Sequence, residues 1–323
     1  WSKTPASPEF AARTRRAVVL PGGRFPLMQT HSCLHPARLA AILFLTACAA
    51  PAQKADRAKD PVDELAASLE PSRLIVYKTV EGRDLRLHVF HPPGWQKTDR
   101  RTLFLTIHGG GWRGGVPRRM YPFADHFARL GMVGISLEYR LAASKPGSGA
   151  LTPFDCVMDA RSALRHVRTH AADLGIDPEK IVVSGASAGG HLALATALFD
   201  GVNDPADDPA ISPRPAALVL LYPVIDTSAE GYGNALLGDR WRELDPVSQV
   251  RAGLPPTILF HGTGDKVTPF AGAQRFVDAT RAAGNLCELV VHEGGAHGYL
   301  MFDRDLLQQT LAKTTEFLRS QGL

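Results

Sequence analysis

The residues Gly185-Ala186-Ser187-Ala188-Gly189 set a serine between two glycines, behind the apolar run Ile181-Val182-Val183 and ahead of an Ala/Leu-rich stretch. A strand that turns sharply into a helix needs very small residues two before and two after the turn. The hydroxyl it presents sits at the helix N-terminus, where the dipole favours a developing oxyanion. A bare Gly-x-Ser-x-Gly is a weak signal; the strand before it and the helix after it make Ser187 the expected nucleophile. Upstream, His108-Gly109-Gly110-Gly111-Trp112 ends another apolar run. Consecutive glycines let backbone N–H groups approach a substrate oxygen unobstructed, and with the N–H of Ala188 they would form an oxyanion hole. Trp112, beside those glycines, is an expected pocket wall.

A base and a carboxylate must follow the serine in the chain. The apolar run 257–261 ends in Gly262-Thr263-Gly264-Asp265, and the run 286–292 ends in Glu293-Gly294-Gly295-Ala296-His297. Asp265 and His297 thus fall on loops leaving strand ends. The imidazole can there reach the serine, with the carboxylate fixing its tautomer. Asp226, after an earlier strand, competes as the acid but reads better as a capping or pocket-wall residue. His292 lies within a strand, His191 within the elbow helix, and His108 and His261 before glycine turns; all four read as structural. Asp204, Asp207 and Asp208 lack the spacing of a calcium loop and read as a solvated segment. No metal and no cofactor is expected.

These residues need a scaffold. Strand patterns at 74–79, 85–91, 102–108, 133–139, 181–185, 217–222, 257–261 and 286–292 alternate with helical patterns at 118–130, 153–170, 189–198, 270–283 and 303–320. The first two strands read as an antiparallel pair. Eight strands separated by helices argue a mostly parallel sheet covered on both faces. Two irregular stretches, 200–215 and 226–256, interrupt the alternation, and both are expected near the site as pocket walls.

The chain has 323 residues and a formal charge of +4. Up to residue 47 there are six basic residues and one acid, leaving 30 basic against 31 acidic residues, one net negative charge. A near-neutral body gives no electrostatic case for nucleic-acid binding. Residues 28–47 run from a polar stretch with Arg38 through the apolar run 39–45 to Thr46-Ala47-Cys48. That order fits an export signal too short to span a bilayer, and its ending resembles a bacterial lipobox with Cys48 as the lipidated residue. The expected organisation is an extension over 1–27, the signal over 28–47, a tether ending in a short helix over 48–70, and a catalytic domain over 71–323. Attachment to a membrane through Cys48, or plain secretion, is the expected location. Cys156 and Cys287 are expected as buried free thiols.

Together HGGGW (108–112), GASAGGHLA (185–193), HGTGD (261–265) and GGAHGY (294–299) resemble the hormone-sensitive-lipase-like group of α/β-hydrolases. Within that group the chain is most similar to acetyl xylan and feruloyl esterases. The resemblance covers roughly 74–318. It implies an α/β-hydrolase fold with a minimal cap, the triad Ser187, Asp265 and His297, and oxyanion N–H groups from Gly110, Gly111 and Ala188. Ala186 stands where many lipase-like members carry Asp, and no long N-terminal helical cap is evident; both favour an open, short-acyl site. The reading is a serine carboxylic ester hydrolase acting on short-chain acyl esters of small molecules or oligosaccharides. An amidase, arylformamidase-like or peptidase activity on the same triad is the alternative, and a non-catalytic binding protein the third reading.

Overall fold

The computed structural model describes residues 60–323 apart from 145, 146 and 148. Cys48, the signal 28–47 and the extension 1–27 lie outside the described residues.

One sheet of eight strands organises the body: β1 (Arg73–Val80), β2 (Arg83–Phe90), β3 (Arg101–Ile107), β4 (Val133–Leu137), β5 (Ile176–Ala186), β6 (Ala217–Leu221), β7 (Thr257–Gly262) and β8 (Cys287–His292). Their spatial order is β1-β2-β4-β3-β5-β6-β7-β8. β1 pairs antiparallel with β2 and β2 antiparallel with β4, while every pairing from β4 to β8 is parallel. The central strands β3, β4, β6 and β7 consist largely of buried Val, Ile, Leu and Phe, as a sheet covered on both faces requires. The expected eight strands and their first antiparallel pair are present. β5 is longer than the expected 181–185, because Ile176 pairs with Arg101 before an irregularity in the ladder.

Helices cover both faces: α1 (Pro61–Ala67), α2 (Tyr121–Arg129), α3 (Pro153–Thr169), α4 (Ala171–Leu174), α5 (Ala188–Leu198), α6 (Asn234–Leu237), α7 (Phe270–Ala282) and α8 (Arg304–Ser320). The expected helix at 118–130 begins as a 3₁₀ turn over Pro117–Met120 and becomes α-helical at Tyr121. α3 starts with a capping box: the Thr152 N–H donates to Asp155. Between β6 and β7 lie α6 and two 3₁₀ turns, Gly238–Leu244 and Val247–Gln249. This small helical insertion is the cap of a minimal-cap α/β-hydrolase fold.

Two expectations need correction. The stretch 200–215 does not approach the site. α5 starts at the carboxyl end of β5 and carries the chain back across the sheet, so the segment after it lies at the opposite edge. There Asn203 accepts from Arg161 and Arg165, Asp207 from Ser162 and Arg165, and Asp204 pairs with Lys78 at 2.6 Å. Asp204 and Asp207 are therefore ion-paired, not solvated. Residues 60–70 are likewise part of the body and not a free tether. Val62 is buried among Phe104, Met120 and Leu300, and ion pairs join Asp60 and Asp63 to Arg119, Glu64 to Arg304 and Glu70 to Arg118.

Candidate active site

The strands from β3 to β8 end on one edge of the sheet, and the loops leaving them build the site. Ser187 sits between β5 and α5 with φ 55° and ψ −121°, a strained conformation held by its surroundings. Its N–H donates to Leu221 O at 2.9 Å, and its own carbonyl accepts from His191 N at 3.2 Å and Val224 N at 3.0 Å. The flanking glycines are steric requirements. A Cβ at Gly185 would stand 2.1 Å from Gly189 O, and one at Gly189 would stand 2.2 Å from Ile107 O.

The loop after β8 brings His297 over the serine, with Nε2 2.9 Å from Ser187 Oγ. On the far side, Nδ1 lies 2.7 Å from Asp265 Oδ2, on the loop after β7. Asp265 is buried, and its other oxygen accepts from Val267 N at 2.8 Å and Thr268 N at 2.9 Å. Thr268 Oγ1 donates to Oδ2 at 2.9 Å. Burial opposes ionisation of Asp265. The His261 imidazole 3.5 Å away and hydrogen bonds from His297 and the Thr268 N–H outweigh it and hold the carboxyl well below the usual carboxylate range. An ionised carboxylate is what an orienting partner for a histidine base must be.

Facing Ser187, the glycines of the loop after β3 close in. A Cβ at Gly109 would touch Ser187 Cβ at 3.0 Å, and Gly111 lies directly beneath the Tyr232 hydroxyl. Among the loop hydrogen bonds of the described residues, none uses the N–H of Gly110 or Gly111. The Ala188 N–H, at the first turn of α5, has no intrahelical acceptor. The N–H groups of Gly110, Gly111 and Ala188 thus have no partner among these hydrogen bonds.

A cavity of about 370 Å³ opens over these groups, lined by Gly110, Gly111, Ser187 and His297 and by Arg119, Met120, Tyr222, Tyr232, Val267, Met301 and Phe302. Trp112 is not among the lining residues, contrary to expectation. It is fully buried, with its ring edge-on to His191 at 5.0 Å and tilted against Tyr232 at 5.6 Å. Trp112 therefore supports the wall that Tyr232 presents. Tyr232, Val267 and Phe302 went unread in the sequence. Their signal was positional: Val267 and Phe302 closely follow Asp265 and His297, and Tyr232 falls in the stretch 226–256 expected as a wall.

The competing residues are elsewhere engaged. Asp226 pairs with Arg275 and accepts from Ser228 N at 2.8 Å, a capping role away from His297. His191 is buried and donates from Nε2 to Leu244 O at 2.8 Å, tying the insertion to α5. His261 donates to Thr268 O at 2.8 Å and secures the loop of the acid. His108 bonds Gly109 O at 2.8 Å and stacks on Tyr139, and His292 stacks on Tyr299. Cys156 and Cys287 are buried free thiols, with burial pushing that of Cys287 up to about 12. Among the described residues no group of three or more His, Cys, Asp or Glu is arranged to hold a metal ion.

A serine, an imidazole and an ionised carboxylate linked in this order, at the carboxyl edge of such a sheet, define a serine hydrolase of the α/β-hydrolase fold. The chain belongs to the BD-FAE family, whose model matches residues 87–279. It is similar to esterase 2 of Thermogutta terrifontis, at 42% identity and a TM-score of 0.73, over 77% of this chain and 94% of that one. Structures of that esterase include propionate-bound and butyrate-bound forms and one phosphorylated by paraoxon. Curated relatives from Mycobacterium tuberculosis include esterase LipQ, 30% identical over 63% of this chain and 51% of its own length. Another, described as a probable carboxylic ester hydrolase, LipM, is 28% identical over 62% of this chain and 49% of its own length. The chain spans about half the length of these two relatives.

Proposed function

We propose that the protein hydrolyses short-chain carboxylic esters through an acyl-enzyme on Ser187. The observation that carries this reading is the unbroken relay from Asp265 Oδ2 to His297 at 2.7 Å and from His297 to Ser187 Oγ at 2.9 Å. His297 takes the hydroxyl proton as Ser187 attacks, and Asp265 holds the tautomer and stabilises the imidazolium. The free N–H groups of Gly110, Gly111 and Ala188 meet the oxyanion. His297 then hands the proton to the departing alcohol, and water, activated by the same imidazole, releases the acid. An intact relay favours catalysis over a binding-only role.

Acetyl or feruloyl esters of carbohydrates are the natural substrates in this reading. Support comes from the four motifs, the family and the propionate and butyrate forms of the Thermogutta esterase. A panel of p-nitrophenyl esters from acetate to laurate, with acetylated xylan, methyl ferulate and p-nitroacetanilide, tests it. Highest kcat/KM on short acyl chains with release of acetate from xylan is the expected result. Preference for the anilide would move the protein to the amidases, and inertness toward both carbohydrate-type substrates would leave a general esterase.

The apolar run 39–45 before Cys48 supports export with a lipid anchor. In a bacterial host with lipoprotein-processing enzymes, the protein is expected in the membrane fraction, with mass spectrometry showing acyl chains on an N-terminal Cys48. An unmodified Cys48 in the mature chain would overturn the anchor and leave the catalytic reading intact.

A further inference from the structure

The catalytic cavity has two walls. One comes from the segments after β3 and β6 and holds Gly110, Gly111, Arg119, Met120, Tyr222 and Tyr232. The other comes from the loops after β7 and β8 and holds Val267, His297, Met301 and Phe302. Large apolar side chains stand in the open on this second wall, Phe302 at 63% exposure and Val267 at 44%. In the adjoining 3₁₀ turn Tyr299–Met301, Leu300 and Met301 are buried, so the turn has an apolar inner face and Phe302 is left outside it. Its ring edge lies close to Gly298, the residue after His297, where an added Cβ would stand 3.4 Å from it. Lining the catalytic cavity while exposed, the ring is placed to meet what enters it.

The chemistry of the acyl-enzyme decides which half of an ester meets which wall, and this step rests on the hydrolase reading above. As the carbonyl oxygen turns toward the N–H groups of Gly110, Gly111 and Ala188, the leaving oxygen must receive the proton carried by His297 Nε2. The alcohol therefore departs along the wall of His297, and the acyl group stays against the other. We propose that Phe302, with Val267 on the same wall, is the alcohol-side platform of the site, and that it takes alcohols presenting a ring with a flat apolar face, a pyranose or a phenol. A rigid aromatic face gives contact area at little entropic cost and accepts the C–H face of a sugar as well as a phenyl ring. Open-chain alcohols cannot cover it in the same way.

Two ester series on Phe302→Ala and Phe302→Tyr test this. With acetyl held constant, kcat/KM is measured for ethyl acetate, phenyl acetate and a mono-acetylated methyl xyloside. With p-nitrophenol held constant, the acyl chain is varied from acetate to octanoate. Phe302→Ala is expected to lower the ring-to-ethyl ratio about tenfold, which corresponds to about 1.4 kcal/mol. Phe302→Tyr should restore the ratio, and the relative acyl-length profile should keep its shape in both variants. An unchanged ratio in the alanine variant, or an altered acyl-length profile in place of it, would overturn the assignment. Absence of turnover of every ester by the unsubstituted protein would overturn the hydrolase reading and the platform together.

Discussion

The segments 200–215 and 226–256 look alike in sequence, polar, broken by Pro or Gly, each interrupting the strand–helix alternation, yet the fold uses them for opposite purposes. The second leaves β6 at the carboxyl edge, and its Tyr232 stands over the catalytic glycines. The first leaves α5 after the chain has recrossed the sheet, and it lays Asn203 and Asp207 against the arginines of α3. Direction accounts for the difference. In a parallel sheet, loops leaving strands gather at one edge and loops leaving helices at the other. Chemistry belongs to the first set and stability to the second.

That division is tested hardest at the triad. Ser187→Ala is expected to lower kcat on p-nitrophenyl acetate by about 10⁴–10⁶-fold while the thermal unfolding transition stays in place. Asp265→Asn should cost about 10⁴-fold by disturbing the histidine tautomer. Asp226→Asn, also on a loop leaving a strand but facing Arg275, should stay within about tenfold of the parent. A larger loss at Asp226 than at Asp265 would move the acid to the loop after β6 and undo the assignment drawn from the 2.7 Å contact.

The chemistry was more legible in the sequence than the walls around it. The elbow demands glycines because Cβ atoms at 185 and 189 would collide with backbone, and a collision with backbone leaves few alternatives. Ser187, Asp265 and His297 were readable because their loops follow strands that periodicity marks clearly. Trp112 was misplaced because adjacency to Gly110 and Gly111 says nothing of side-chain direction. With φ at 61° its ring turns inward to His191. The stretch 200–215 was misplaced because its destination depends on how far α5 runs, and local composition does not carry that. The docking of residues 60–70 rests on Val62 and on scattered ion pairs with Arg118, Arg119 and Arg304, partners far away in the chain.

The histidines sharpen the comparison through pH. Burial holds His108 and His191 at about 4, against an unfolded value near 6.5. Between those values the unfolded chain binds more protons than the folded one, so stability falls as pH drops from about 6.5 and levels off below about 4. Each of the two histidines contributes a loss of up to about 3 kcal/mol. Denaturant unfolding from pH 7.5 to 4 measures it. Asp265 does not share this window, because its carboxyl is held below the usual range and its contribution is lost only at still lower pH. His191→Gln, able to donate to Leu244 O without titrating, should flatten the pH dependence by one histidine's share. An unaltered slope would mean that His191 does not control it.

The smallest expected effects come from two carboxylates, one in each irregular segment. Asp245 accepts from Thr227 N at 3.0 Å and Ser248 N at 2.9 Å, and so closes the insertion that carries Tyr232. It also follows Leu244, whose carbonyl holds His191. Asp207 accepts from Ser162 Oγ and Arg165 Nη1, both at 2.9 Å, at the other edge. Replacing either by Ala leaves polar groups unmet and should cost about 1–3 kcal/mol of stability, shifting Tm by about 2–4 °C per kcal/mol. Arg165 keeps Asn203 Oδ1 at 2.7 Å and Ile211 O at 2.9 Å, which places Asp207→Ala at the low end. Activity should separate them. Asp245→Ala loosens the wall over Gly111 and is expected to lower kcat/KM about tenfold at a temperature where the variant is folded. Asp207→Ala touches nothing at the carboxyl edge and should leave kcat/KM within about twofold. Equal losses of activity in the two variants would mean that the edges are coupled through α5, and that direction alone does not separate chemistry from stability in this fold.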